Sequence, residues 1–220
     1  MTVYLHALPK RRLGAKALAP WAEIRSTIAT DAMNKANALD AAIRPIKAGY
    51  EMLGQALTVR AMAGDITPLL HALSLARPGD VLMVDAGGYA DNAVLGGNMT
   101  SEAVRRGMAG LVIDGAIRDV AEIRDFGIPT FTRAVTPAGP NFSQIGDVGG
   151  PISCGGIQIR TGDLVIGDDD GIVVVPRGRM AAVLETSQAT LKAEAAWQRR
   201  IAAGETFSNI LDLAPMEPAP

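Results

Sequence analysis

One stretch of the chain decides the fold: Leu111-Val112-Ile113-Asp114-Gly115-Ala116-Ile117-Arg118-Asp119. Its first part is an apolar run that predicts a buried strand, and Asp114-Gly115 predicts the turn that ends the strand. Arg118 and Asp119 stand side by side just past that turn, where a rigid scaffold presents reactive groups. A fixed cation beside a carboxylate that can bind a metal suits a small oxyanion substrate.

A glycine pair upstream, in Leu95-Gly96-Gly97-Asn98-Met99-Thr100, leads into a predicted helix. The first N–H groups of a helix have no partners within it and attract anions. Glycine lets the backbone come close to a ligand. We therefore expect this segment to bring backbone donors to the site marked by Arg118 and Asp119. The residues expected to bind substrate in this way are Gly96, Gly97, Asn98 and Met99.

The middle of the chain alternates predicted strands with predicted helices. Strands are expected at 55–60, 81–85 and 111–113, and helices at 66–75, 98–106 and 120–126. The cap of the 98–106 helix is expected to be Asn98, Thr100 or Ser101. Such alternation predicts an α/β domain with at least three parallel strands. Further helices are predicted at 21–39 and 178–203.

The character changes after residue 146, where glycines are frequent and no helical spacing occurs until 178. Short strands are predicted at 157–159, 164–166 and 172–175. Asp168-Asp169-Asp170-Gly171 lacks the distal glutamate of a calcium loop, so it predicts a hairpin turn. We expect one domain over 1–220, with its core at about 27–199 and a loose tail at 205–220.

Composition limits the function classes. The 220 residues are 48% apolar and 20% charged, which is typical of a globular protein. A net charge of −2 gives no reason to expect nucleic acid. Cys154 is the only cysteine and predicts a small buried side chain without a disulfide. No apolar stretch approaches the roughly 20 residues that a membrane helix needs, and we expect a cytoplasmic protein.

Three ordered motifs resemble those of a known family: Ala76-Arg77-Pro78-Gly79-Asp80-Val81-Leu82, then Gly107 through Asp119, then Gly162 through Pro176. The chain resembles the family that contains the regulator of ribonuclease activity A and the 4-hydroxy-4-methyl-2-oxoglutarate aldolases. The resemblance spans roughly Thr27 to Arg199. It implies an α/β fold, a β/β/α swivelling-domain sandwich in a single domain with helices at both ends. It also implies a trimer or a dimer of trimers, with sites between subunits.

The aldolase members of this family imply a divalent-metal-dependent lyase of the class II pyruvate aldolase type. Such enzymes cleave a 4-hydroxy-2-oxo acid to pyruvate and a second oxo acid, and they decarboxylate oxaloacetate. By this resemblance Arg118 is the catalytic residue that contacts the pyruvyl oxygens. Asp119 holds Mg²⁺, Mn²⁺ or another divalent cation. The expected partners are a 2-oxo acid and further copies of the chain, with no nucleic acid and no membrane.

One position departs from the aldolase pattern. The resemblance places another carboxylate, which orients metal-bound water, at the position of Gly97. Glu102 or Asp91 can take over that role, or the reaction is a different one. Retro-aldol cleavage needs a base for the 4-hydroxyl proton, whereas decarboxylation of oxaloacetate does not. The glycine therefore predicts a preference for decarboxylation.

Other readings stay open at this point. A non-catalytic regulator that binds a ribonuclease is the main alternative, because one branch of the family has that role. A methyltransferase is disfavoured, since no glycine-rich loop with an acidic partner follows a first strand. His6 and His71 have no partner motif and predict structural or surface positions. Glu185 and Glu194 predict a mostly solvated helix face, from which one carboxylate can reach a neighbour's metal.

Overall fold

The computed structural model describes residues 2–217 and residue 219. Among these residues the strands are β1 (Val3–Leu5), β2 (Arg44–Pro45), β3 (Met52–Ala61), β4 (Asp80–Asp85), β5 (Ala93–Leu95), β6 (Gly110–Ile117), β7 (Thr130–Val135), β8 (Gly146–Val148), β9 (Ile152–Cys154), β10 (Ile157–Ile159), β11 (Leu164–Asp168) and β12 (Gly171–Val175). The helices are α1 (Ala15–Leu18), α2 (Ser26–Asp31), α3 (Thr67–Leu75), α4 (Gly97–Arg105), α5 (Val120–Phe126), α6 (Met180–Ala202) and α7 (Phe207–Ile210). Within this part of the chain no helix is long and apolar enough to cross a membrane.

A ten-stranded sheet forms the centre of the molecule, in the order β1-β8-β3-β4-β6-β7-β2, with β5, β11 and β12 attached beside that path. Strands β3, β4, β6 and β7 run parallel, which confirms the parallel sheet expected from the alternating pattern. Strand β3 is long enough for its first half to pair with β11 and its second half with β8. Strands β9 and β10 form a separate antiparallel pair.

The layers follow from the alternation of side chains across a strand. On one face of the parallel strands, Leu82 and Leu111 belong to the cluster that packs against α3, α4 and α5. On the other face, Met83 and Val112 pack with apolar residues of β9 to β12. A third cluster packs α2 and α6 against the outer face of β11 and β12. The result is the mixed α/β single domain, with helices towards both chain ends, that the sequence predicts.

The predicted 21–39 helix is wrong in its extent. Only Ser26–Asp31 is α-helical in that region. Asn34, Lys35 and Asn37 have φ angles of 57°, 63° and 65°. These left-handed conformations cannot continue a right-handed helix. The apolar residues there still reach the core, because Met33 and Leu39 are buried on either side of the left-handed residues.

The predicted end of the 111–113 strand at Asp114-Gly115 is also wrong. Strand β6 continues to Ile117, and its register with β7 shifts between Ile113 and Ala116. This irregularity has the character of a β-bulge, which bends a strand and turns a side chain out of the ladder. The Asp114 carboxylate accepts hydrogen bonds from Arg133 Nε at 2.6 Å and from the Gly155 N–H at 2.7 Å. Arg118 and Asp119 therefore follow the true end of the strand.

The C-terminal half is close to prediction. Helix α6 covers Met180–Ala202, and Asp168 to Gly171 form the hairpin between β11 and β12. Strands β1, β2, β5, β7, β8 and β9 were not predicted; all of them except the six-residue β7 have only two or three residues, which show little periodicity. Within the tail expected to be loose, Phe207 packs edge-on against Trp197 with ring centroids 5.9 Å apart. Pro218 and Pro220 of that tail lie outside the described residues.

A buried carboxylate, Asp65, ties the loop before β8 to the start of α3. Its Oδ1 accepts the Thr67 N–H and its Oδ2 accepts the Ile145 N–H, each at 2.9 Å. Burial acts to raise the pKa of Asp65, but the backbone hydrogen bonds from Ile145 and Thr67 outweigh burial, so the pKa lies below its ordinary value. The loop held in this way contains Phe142 and Pro140, which border the candidate site.

We predict that Asp65→Asn lowers the free energy of unfolding at pH 7 by about 2 kcal/mol, because hydrogen bonds to a charged acceptor are lost. The folded pKa is depressed, so Asp65 contributes stability above its unfolded pKa of about 3.9 and loses that contribution as pH falls through the folded value. The difference from wild type should therefore shrink at acid pH. Urea unfolding at pH 7 and near pH 3 measures it, with exposed Glu185→Gln as the matched control. An equal difference at both pH values would contradict the prediction.

Candidate active site

Strand β6 delivers Arg118 and Asp119 to the edge of the sheet beside the start of α4. The Arg118 N–H donates to the Leu95 carbonyl of β5 at 3.0 Å, which joins the two chain segments. A cavity of about 210 Å³ opens at this point. It brings together all six residues predicted for the site, namely Gly96, Gly97, Asn98, Met99, Arg118 and Asp119. Its other walls are apolar and consist of Ile66, Leu70, Ala93, Leu95, Pro140 and Phe142.

Asp119 has an unusual backbone conformation. Its φ and ψ are 60° and 35°, in the left-handed region, where a non-glycine residue is strained. It precedes α5 directly but makes no capping hydrogen bond to that helix. Its Oδ2 instead accepts the Gly97 N–H of α4 at 3.0 Å. Strain that is maintained in order to aim a side chain at a second element is typical of functional sites.

The same contact corrects the predicted start of α4. The helix begins at Gly97 with Gly96 before it, and no side chain from its own sequence caps it. The Thr100 hydroxyl donates back to the Gly96 carbonyl at 3.0 Å rather than accepting an N–H. The cap expected at Asn98, Thr100 or Ser101 is therefore wrong, because the carboxylate that fills this role comes from Asp119.

Both glycines leave space at the start of α4 that acidic side chains from the end of β6 and from α5 occupy. A Cβ at Gly96 would lie 2.5 Å from Asp119 Oδ2 and 3.2 Å from Arg118 Cγ. A Cβ at Gly97 would overlap the Glu122 carboxylate, whose Oε1 would lie 2.8 Å away. The glycine pair thus allows two carboxylates to come against the backbone of the first turn of α4.

Arg118 is available to a ligand. Its Nε lies 3.7 Å from Asp119 Oδ2, which is too long for a hydrogen bond, and the two side chains are 43% and 44% exposed. A planar guanidinium with free donors can hold two oxygens of a carboxylate or a keto acid at once. The cavity therefore presents one permanent cation next to one carboxylate.

The donors at the site can be tested against a divalent cation. Over residues 2–217 and 219, no group of three or more His, Cys, Asp or Glu side chains is placed to hold a metal. Asp119 is half-exposed, and its Oδ1 makes no hydrogen bond among those residues. Mg²⁺ commonly uses one or two carboxylates and keeps several waters, whereas Zn²⁺ needs more nitrogen or sulfur ligands. Asp119 thus fits a hydrated Mg²⁺ or Mn²⁺ and not a protein cage.

The acid nearest to the Gly97 position is neither of the two suggested by the sequence. Glu102 is held by Arg106 Nε at 2.9 Å, and the three atoms nearest to a Cβ at Gly97 belong to Glu122 rather than to Glu102 or Asp91. Glu122, which the sequence reasoning missed, stands over Gly97. Its contact with Gly97 depends on how α4 and α5 meet in space, which no local sequence pattern shows.

The remaining candidates lie elsewhere. Cys154 is fully buried, and burial raises the pKa of its thiol, with further increases from Asp114 and Asp85. It is therefore the inert small side chain that was predicted. His6 hydrogen-bonds Asp147 at 3.1 Å, and His71 lines a different cavity. A metal-reaching role for Glu185 or Glu194 stays a prediction.

Fold and site together define a class: a mixed α/β domain that carries a cation and a carboxylate at the carboxyl end of a buried parallel strand. A family model described as RraA-like, Aldolase/RraA, matches residues 26–174. The chain belongs to this RraA-like family, and the resemblance identified from the three motifs is confirmed.

Relatives in the family carry two kinds of name. A Halalkalibacterium halodurans protein, provisionally named a 4-hydroxy-4-methyl-2-oxoglutarate aldolase, is 37% identical over 178 residues, which are 81% of this chain and 85% of that protein. A Thermus thermophilus protein with the same aldolase name is 30% identical over 70% of this chain and 93% of its own length. The structure of Streptomyces coelicolor RraAS2, an unusual member of the RNase ES inhibitor RraA protein family, matches with a TM-score of 0.78 and 27% identity, covering 86% of this chain and 100% of that one.

The left-handed backbone at Asp119 makes a stability prediction. We expect Asp119→Gly to unfold within about 1 kcal/mol of wild type, because glycine relieves left-handed strain. Asp119→Ala should be less stable than Asp119→Gly by roughly 1 kcal/mol. The control is Asp125, within α5, where alanine should instead be more stable than glycine by about 1 kcal/mol. Urea unfolding measures all four variants, and the same order at both positions would contradict the assigned conformation.

Proposed function

We propose that this protein is a divalent-metal-dependent lyase that cleaves a 4-hydroxy-2-oxo acid to pyruvate, decarboxylates oxaloacetate, or does both. The observation that carries the proposal is the half-exposed Arg118–Asp119 pair, which lies against the first turn of α4 and lines an open cavity. The aldolase names of two relatives support the same reaction class. An adjacent fixed cation and hard oxygen ligand suit a substrate with neighbouring keto and carboxylate oxygens.

The chemistry follows from the charge that develops. Breaking the carbon–carbon bond of either substrate leaves the enolate of pyruvate, so negative charge grows on the keto oxygen. Arg118 places a permanent, planar cation where it can donate to that oxygen. Asp119 would hold Mg²⁺ or Mn²⁺, which when bound withdraws charge from the keto oxygen as a Lewis acid.

The set of backbone N–H groups predicted to bind the substrate carboxylate must be revised. The sequence points to Gly96, Gly97, Asn98 and Met99 together, but the Gly97 N–H is already used by Asp119. The first turn of a helix has several N–H groups without partners in the helix. We propose that those of Asn98 and Met99, which line the cavity, bind the substrate carboxylate. Gly96 and Gly97 contribute by keeping this surface free of side chains.

An assembly of several copies is part of the proposal. The 23-residue helix α6 buries only Val183 and Ser187. Tyr4 and Phe142 are 63% and 70% exposed, and Phe142 stands at the edge of the cavity. Contiguous exposed apolar side chains mark surfaces that contact other proteins, and exposed Tyr4, Met62 and Ile145 line one groove. We propose a homotrimer or a dimer of trimers, in which a neighbouring copy covers the cavity.

The proposed lyase is tested by pyruvate release from oxaloacetate and from 4-hydroxy-4-methyl-2-oxoglutarate, with Mg²⁺ and with a chelator. The rate without protein is subtracted, since free Mg²⁺ also promotes decarboxylation of oxaloacetate. We expect Mg²⁺-dependent release from at least one substrate, and loss of it in Asp119→Asn. Asparagine tolerates the left-handed backbone and removes only the charged ligand. Release that is unaffected by the chelator, or no release from either substrate, would overturn the proposal.

Arg118→Lys probes the cation in a second way. Lysine keeps the charge and loses the planar fork, so it is not a conservative replacement. We expect the rate of pyruvate release to fall on the order of 10²–10³-fold, the scale observed when one oxyanion donor is removed. Arg105→Lys, on the exposed face of α4, is the control and should retain the wild-type rate. A wild-type rate in Arg118→Lys would remove the assigned role.

A non-catalytic regulator of a ribonuclease is the second candidate function, favoured by the similarity to RraAS2. That function needs a protein partner and no reaction at the cavity. If both Asp119→Asn and Arg118→Lys still inhibit a ribonuclease, the surface that binds the ribonuclease is separate from the cavity. The expectation that the protein binds no nucleic acid stays a prediction.

A further inference from the structure

Glu122 is the most informative residue that the proposed reaction has not used. It lies on α5 one turn beyond Asp119, and its carboxylate occupies the volume that a side chain at position 97 would take. Gly97 itself is buried at the start of α4 and lines the cavity. Because residue 97 is glycine, no side chain at that position competes with the carboxylate for this volume.

The Glu122 carboxylate lies at the first turns of α4 and α5 without a side-chain partner in the described part of the chain. Glu102 on α4 is held by Arg106, but Glu122 makes no ion pair or side-chain hydrogen bond over residues 2–217 and 219. Its side chain is exposed, so it can exchange a proton with water. An exposed acid that lies against Gly97, a residue of the cavity lining, and has no cationic partner is available to a ligand.

We propose that Glu122 is the general base for retro-aldol cleavage in this protein, an inference that rests on the proposed lyase function. Its carboxylate takes the proton of the 4-hydroxyl, directly or through one water. The C3–C4 bond breaks, the 4-hydroxyl oxygen becomes a carbonyl, and the electron pair of the bond forms the enolate of pyruvate. Glu122 then releases its proton to solvent, and C3 of the enolate takes a proton from water, so that no other reactant is needed.

This assignment changes the expected reaction preference. The preference for decarboxylation was predicted because Gly97 carries no carboxylate. A carboxylate does stand at that point, and it belongs to Glu122. The base that retro-aldol cleavage needs is therefore supplied from α5. A carboxylate introduced at position 97 must displace that of Glu122, so it replaces the base and adds none.

The decisive comparison uses Glu122→Gln and two reactions. General bases contribute on the order of 10²–10⁴ in rate, so we expect release of pyruvate from 4-hydroxy-4-methyl-2-oxoglutarate to fall by at least about 10²-fold. Oxaloacetate decarboxylation, which has no 4-hydroxyl proton to remove, should stay near its wild-type rate. Asp125→Asn, one turn further along α5, is the matched control. An equal loss in both reactions, or no loss in either, overturns the role of Glu122.

Two further measurements separate a base from a metal ligand and from a structural residue. Mn²⁺ affinity, followed by paramagnetic resonance without substrate, should be unchanged in Glu122→Gln, as should urea unfolding. A clear loss of Mn²⁺ affinity would identify Glu122 as a metal ligand, and a loss of stability would identify it as a structural group. Either result overturns the proposal.

The double variant Gly97→Asp with Glu122→Ala should recover part of the retro-aldol rate that is lost in Glu122→Ala alone. If the wild type performs neither reaction, the proposed lyase function itself fails, which is a distinct outcome.

Discussion

The burial of β6 on both faces is the constraint on which the rest of the structure depends. All residues from Gly110 to Ile117 are buried. Leu111 packs towards the helices and Val112 towards the second β-layer, so the strand cannot slip by one residue without exchanging the two sets of side chains. A strand fixed in this way holds whatever follows it in one place. Arg118 and Asp119 are the residues that follow.

Close approach of α4 to that strand end is the second requirement. The first turn of α4 carries unpaired N–H groups and the positive end of the helix dipole, both of which attract carboxylates. Gly96 and Gly97 allow Asp119 and Glu122 to reach that turn. Asp119 joins Arg118 in the lining of the cavity, whose other walls are mainly apolar, and the Glu122 carboxylate lies against Gly97 at its edge. This imbalance of charge is what makes the cavity suited to a cation and an oxyanion together.

Much of the fold was readable from the sequence, because long strands and helices repeat their pattern over enough residues. The parallel strands β3, β4 and β6 and the helices α5 and α6 could be predicted in this way, whereas the parallel strand β7 was not predicted. The extent of α2 was not predicted correctly, because Asn34 and Lys35 adopt left-handed conformations within a stretch that has helical composition throughout. The bulge in β6 was mistaken for a turn because Asp114-Gly115 has turn chemistry in either case. At the site, the sequence alone identified the neighbouring pair Arg118 and Asp119 and the segment from Gly96 to Met99. Glu122 was missed because its proximity to Gly97 depends on how two helices meet in space.

The external cap on α4 has a consequence for the order of folding. Helix α4 has nine residues, and isolated helices of that length are marginal in water. The carboxylate that completes its first turn comes from Asp119, 22 positions later in the chain. That residue reaches its position only after β6 has joined the sheet. The N-terminal turn of α4 should therefore form late, after the central strands have docked, and the substrate-facing surface is among the last parts of the molecule to become ordered.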